Sequence, residues 1–145
     1  RTRPFRVNYG TTLTGAVDDV IAEETAAAEH AAAVGVLRES ILIDPTHDFG
    51  KNTFHGLILL RHIRDLVDTG WPVLMALSNK DFIGETLGVE LTERLEGTLA
   101  ATALAAADGA RMFRVNEVGP TRRVLEMVAS IKGDRPPART VRGLA

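Results

Sequence analysis

The chain has no cysteine, which excludes disulfides, thiolate nucleophiles and cysteine-ligated metals. It lacks a surplus of either charge: 17 Lys and Arg stand against 19 Asp and Glu, a formal net charge of -2. The two signs are interspersed, so no broad positive field exists on which nucleic acid could condense. Long apolar runs are missing as well. Nothing approaches the roughly 18 consecutive apolar residues that cross a bilayer, and residues 1–6 lack the apolar core of a secretion signal. A cytoplasmic protein that binds neither nucleic acid nor membrane is the default expectation. What is present is the balance of an ordinary globular domain, with 145 residues, 45% of them apolar and 25% charged, enough to bury a core.

Apolar positions set out the elements. Val17, Val20, Ile21, Ala28, Ala31 and Val34 recur at helical spacing, with Gly35 where a left-handed C-cap belongs. Ile41, Leu42 and Ile43 then form a short continuous run, as expected of a strand covered on both faces, and Asp44-Pro45 ends it. A second helix places Leu57, Leu60, Ile63 and Val67 on one face, and Gly70 follows its end. Residues 73–77 read as a second buried strand. The third cycle has a helix from about Leu91 to Ala107, the turn Asp108-Gly109 and a strand over 112–115. A last helix starts near Pro120 and directs Val124, Leu125, Val128 and Ile131 inward, before Gly133. The alanine run 100–107 reads as a close-packed helix face. Residues 134–145, with Pro136-Pro137 and three arginines, read as a flexible tail.

Strands that alternate with helices of ten or more residues pair in parallel, because each crossover returns the chain to the same end of the sheet. The fold class is therefore α/β. Three strands cannot close a barrel, and a (β/α)8 barrel takes about 250 residues, so the chain is either about half of one or a small open sheet. Ligands of parallel α/β folds sit outside the carboxyl ends of the strands. All three ends are polar here: Asp44 after the first, Ser78-Asn79-Lys80 after the second, and Arg114, Asn116 and Glu117 after the third. Such residues more often cap strands and meet solvent than build a site. Asp44, His47, Asp48 and His55 form a weak metal option, near one chance in ten by composition. Gly50-Lys51-Asn52-Thr53 only faintly suggests a phosphate loop, because the upstream glycine is absent.

Taken together, the strand ends resemble the dihydropteroate synthases. The stretches LIDPTHDFGK (42–51), LSNKDFIG (77–84), ERLEGTLAA (93–101) and FRVNEV (113–118) stand in family order and spacing. The similarity runs from about Ile41 to Ile131 and is weaker in the preceding helix. RTRPFRVNYG at the start is similar to a loop that leaves the preceding barrel strand in some actinobacterial-type paralogues of that family. The resemblance implies the C-terminal part of a TIM (β/α)8 barrel: a loop over 1–14, a partial pterin-binding domain over 15–133 and a tail over 134–145.

It also implies a function in folate synthesis, the condensation of (7,8-dihydropterin-6-yl)methyl diphosphate with 4-aminobenzoate. On that reading Asp44 accepts paired hydrogen bonds from the pterin, Lys80 donates to its carbonyl and ring nitrogen, and Arg114 grips the departing diphosphate. Phe49 and Ser78 border the 4-aminobenzoate or sulfonamide position. Ala76 lies on the pocket wall and Asn116 near the diphosphate. The implied Mg2+ has its ligand outside this chain, and the implied assembly is a homodimer. Asn79 stands where the family has arginine, Asn116 where it has histidine, Asp48 and Ala76 where it has glycine, and Thr46 and His47 further alter the same loop. These departures imply impaired condensation, or an inactive paralogue that keeps pterin or sulfone binding. A structural or regulatory half-barrel is the third reading.

Overall fold

The computed structural model of the chain describes residues 13–142. Most of the loop expected over 1–14 lies outside them, although Leu13 and Thr14 already belong to the first helix, α1 (Leu13–Ala33). That helix buries Ala16, Val17, Val20 and Ala28, while Ile21 and Ala31 pack against the same cluster. Val34, assigned to this face by spacing, is 68% exposed. The helix ends before it. Gly35 adopts φ +102, its N–H reaches the Ala32 carbonyl, and the Val36 N–H reaches that of Ala31, the paired bonds that close a helix through a left-handed glycine.

Three extended segments follow in parallel. The first is shorter than expected. It pairs only at Ile43, which bridges to Val73 through Ile43 N–H to Pro72 O (3.0 Å) and Leu74 N–H to Ile43 O (2.8 Å). Strand β1 (Leu74–Met75) pairs with β2 (Met112–Phe113) in the register Leu74 to Met112 and Met75 to Phe113. The spatial order is thus the order of the sequence. A barrel adds its strands this way, whereas a doubly wound sheet reverses direction at a switch point.

Among the described residues, the strands are covered on one face only. Trp71, Val73, Met75 and Leu77 are buried, and the alternate residues Pro72, Leu74, Ala76 and Ser78 are half-exposed. The buried set shares one core with Leu59, Ile63, Leu66, Ala101 and Ala105 of the helices. On the other face Leu42 is 39% and Met112 48% exposed. This corrects the expectation of strands covered on both sides. All the helices lie outside a wall, and its inner face is the lumen side that the rest of a barrel would line.

The second helix divides at His62 into α2 (Thr53–Arg61) and α3 (Ile63–Val67). Its deepest residues are Gly56, Leu59, Ile63 and Leu66; Ile63 is as expected, while the other three stand one position before the expected Leu57, Leu60 and Val67, which flank them. A short helix, α4 (Asp81–Leu87), has no counterpart in the sequence reading. The next helix, α5 (Leu95–Ala107), begins later than Leu91 because residues 91–93 form a 3-10 turn. Its close-packed face is Thr98, Ala101, Thr102 and Ala105. The last helix, α6 (Val118–Ile131), packs on α5 but buries only Thr121; Val124, Leu125 and Val128 are half-buried and Ile131 is 73% exposed, against expectation. Residues 134–142 contain neither helix nor strand.

Candidate functional site

The parallel register places the carboxyl ends of β1 and β2 side by side. Arg114 N–H bonds the Met75 carbonyl at 2.9 Å, so alternation puts the Arg114 side chain on the lumen face beside Ala76. One step further, the Asn116 N–H donates to Ser78 Oγ at 3.2 Å. A cavity of about 240 Å³ opens between the two ends, lined by Ala76, Ser78, Lys80, Arg114 and Asn116. Five of the seven candidate residues therefore meet. The sixth, Phe49, is 62% exposed, and the Lys80 ammonium sits 4.8 Å from its ring centroid, within cation–π range.

The seventh, Asp44, is not among the residues lining the cavity. It follows Ile43, the bridge residue, so it stands level with Leu74, two residues before Ala76 on the neighbouring strand. Its Oδ1 accepts the Thr46 N–H at 2.8 Å, and its own N–H donates to Glu24 Oε2 at 3.4 Å. Half-burial is the main reason the Glu24 carboxyl lies above its usual range, with the Asp44 charge adding to it; desolvation likewise pulls Lys51 down. Asp44 thus sits at the edge of a small half-buried charge cluster, and Lys80 and Arg114 share the mouth.

The loop between Asp44 and α2 is tightly folded. Thr46 and Asp48 both occupy the left-handed region, at φ 48 and 69, which is strained for β-branched threonine and better tolerated by aspartate. Lys51 Nζ donates to Thr46 Oγ1 (3.0 Å), Thr46 O (3.2 Å) and Phe49 O (3.4 Å), so it secures its own loop. His47 is 2% exposed, lies 5.5 Å from the Phe82 ring and bonds the Gly56 backbone; burial lowers its pKa to about 4. The faint phosphate loop is in fact a helix start. Asn52 Oδ1 accepts the His55 N–H (3.1 Å) and His55 Nδ1 accepts the Asn52 N–H (3.2 Å), a reciprocal cap. The four residues of the weak metal option do not converge, and no group of three or more His, Asp or Glu among the described residues could hold a metal.

Sequence reasoning placed Asn79 and Glu117 at strand ends but missed Arg94 and Thr98, which hold the second of those ends. Asn79, at φ 56, has its N–H on Thr98 Oγ1 (3.1 Å), its carbonyl on Arg94 Nη1 (2.8 Å) and its side-chain amide on Glu117 Oε1 (3.2 Å). One signal pointed there. Arg94 occupies the N-cap of α5, where a cation opposes the helix dipole, so its place needs another reason. A larger groove of about 460 Å³, lined partly by Arg64, Arg111 and Lys132, lies at the opposite end of the strands, away from the end where parallel α/β folds carry ligands.

The family described as "Pterin binding enzyme" matches residues 1–116. The chain is 79% identical over its whole length to the "Inactive dihydropteroate synthase 2" of Mycobacterium leprae (strain TN), covering 50% of that protein. It is 37% identical over 128 residues to the dihydropteroate synthase of Escherichia coli (strain K12), spanning 81% of this chain and 44% of that protein. Among solved structures, dihydropteroate synthase from Coxiella burnetii in complex with pteroic acid superposes with a TM-score of 0.82 at 28% identity, over 90% of this chain and 48% of that one. The Thermus thermophilus enzyme in complex with 4-aminobenzoate gives 0.75 at 37%, over 80% and 45%. The chain spans about half the length of the curated relatives it matches.

Proposed function

Because this chain belongs to the family of pterin-binding enzymes, we propose that its full-length protein binds a dihydropterin diphosphate at the strand-end cleft and has lost most of the condensation with 4-aminobenzoate. The observation that carries this reading is the meeting of Lys80 and Arg114, with Ser78, Ala76 and Asn116, in one cavity. The planar fork of Arg114 suits a departing diphosphate, and Lys80 suits the pterin carbonyl and ring nitrogen. Asp44 supplies paired acceptors for the pterin amino and ring N–H groups. Phe49 and Ser78 border the place of 4-aminobenzoate and of its sulfonamide or sulfone analogues.

In the intact reaction the carbon–oxygen bond breaks, diphosphate leaves with the electron pair, and the arylamine nitrogen bonds to carbon and loses a proton. Nothing in this asks the protein for a nucleophile; it asks for orientation and charge stabilisation. The departures weaken that second contribution. Asn79 spends its side chain on Glu117, and Asn116 can offer only a neutral group where the family has histidine. The name of the M. leprae relative agrees with this reading. No group of three or more His, Asp or Glu among the described residues could hold a metal; the family resemblance puts the ligand of the implied Mg2+, which would neutralise charge on the diphosphate, outside this chain. A cytoplasmic homodimer joined through α5 and α6, which expose Leu104, Met127 and Ile131, completes the proposal.

Calorimetric titration of the full-length protein with the pterin diphosphate tests it. Lys80→Met, Arg114→Met and Asp44→Ala should each weaken binding by at least roughly tenfold, about 1.4 kcal/mol. Wild-type protein that does not bind, or variants that bind equally well, would overturn the cleft as a pterin site. Turnover at the rate of an intact family member would overturn the loss of condensation.

A further inference from the structure

The loops after all three strands are tied into one hydrogen-bonded chain. Asp48 Oδ2, from the first, accepts the Asp81 N–H of the second at 2.6 Å. Asp81 Oδ1 and the Asn79 carbonyl both accept from Arg94 Nη1, at 2.9 and 2.8 Å. Asn79 then reaches Glu117 of the third loop, beside the bond from Asn116 to Ser78. Lys80 stands between two residues held by the same guanidinium. That guanidinium is itself enclosed: the Arg94 side chain is 13% exposed, and a Cβ on Gly84 would lie 2.5 Å from its Nε and Nη2. Gly84 leaves the space that Arg94 fills.

We propose that Arg94 is a positioning residue that sets Lys80 at the cleft and locks the 46–51 and 78–81 loops to each other. Two substitutions that look like simple losses against the family pattern acquire a role in this scheme. Asp48 caps the start of α4 and joins the first loop to the second. Asn79 joins the second to the third and suits the left-handed backbone found there, a region in which asparagine is enriched over most residues. Arg94 touches no residue that lines the cavity except through Asn79 and Asp81, so it acts on Lys80 at one remove. This inference rests on the cleft being the ligand site, but the loop coupling can be measured without any ligand.

The test is amide hydrogen exchange on the full-length protein, followed by titration with the pterin diphosphate. Arg94→Met removes the guanidinium, and Gly84→Ala displaces it while keeping its charge. Each should speed exchange at 46–51 and 78–81 together, on the order of tenfold, and leave the core strands as protected as in the wild type. Titration should show binding weakened in both, with Arg94→Lys recovering part of it. Unchanged exchange in either loop, or faster exchange spread evenly over the chain, would overturn the positioning role. If Arg94→Met does not fold, Asp48→Ala cuts one link alone: it should free 46–51 and spare Asn79, and unchanged exchange at 46–51 would sink the proposal. Wild-type protein that does not bind overturns the ligand assignment, and the exchange pattern still decides the role of Arg94.

Discussion

His47 shows at single-residue scale what the altered loop has gained. In the unfolded chain its imidazole titrates near the usual 6.5, and in the fold burial holds it at about 4. The unfolded state therefore takes up the proton first as pH falls, so stability is full above 6.5 and is lost between 6.5 and 4. The loss amounts to about 3 kcal/mol. Glu24, whose carboxyl is raised, contributes in the opposite sense and loses stability as pH rises. The difference between wild type and His47→Leu isolates the histidine. Denaturant unfolding at pH 7 and pH 4.5 should show the wild type losing on the order of 2 kcal/mol more than the variant across that interval. Equal losses would mean that His47 is protonated within the fold. The roles of His47 and Arg94 were illegible in the sequence because they come from burial and distant partners, whereas the meeting of Lys80 and Arg114 at one mouth was legible from their place at strand ends.

Among elements, legibility followed periodicity. The strand after Trp71 and the glycine that ends α1 were readable, since each expresses a local rule; the one-sided burial of that strand was not, because its lumen-facing Leu74 and Ala76 are as apolar as its core-facing Val73, Met75 and Leu77. The first strand reduced to a bridge, the split at His62 and the late start of α5 were not, because neighbours across the fold decide them. The contact of α4 with α5 is a case in point. A Cβ at Gly97 would lie 2.4 Å from Ile83 Cγ2 and 2.8 Å from Leu87 Cδ1, so the two helices meet where no side chain fits. Gly97→Ala should destabilise the chain by about 1–3 kcal/mol through overpacking, despite the better helix propensity of alanine. A melting temperature equal to or above that of the wild type would show that α4 yields without cost. Leu66→Ala, at a site with no exposed surface, should cost about 2–5 kcal/mol by leaving a cavity.

For the molecule as a whole, the uncovered lumen face governs behaviour. Leu42 and Met112 lie on it, and the outer edge of the first extended segment has no neighbour among the described residues. Exposed apolar surface and free strand edges favour association. Expressed by itself, this chain should associate in light scattering, and Leu42→Gln with Met112→Gln should reduce that association. A well-behaved monomer would show that the face tolerates water. The same alternation separates two kinds of pressure on one strand. Trp71, Val73, Met75 and Leu77 answer to the helices, while Leu74, Ala76, Ser78 and Lys80 answer to whatever occupies the lumen. Mutational drift can erode the second set without touching the first, so a descendant can retire from its ancestral reaction and still inherit the ancestral shape.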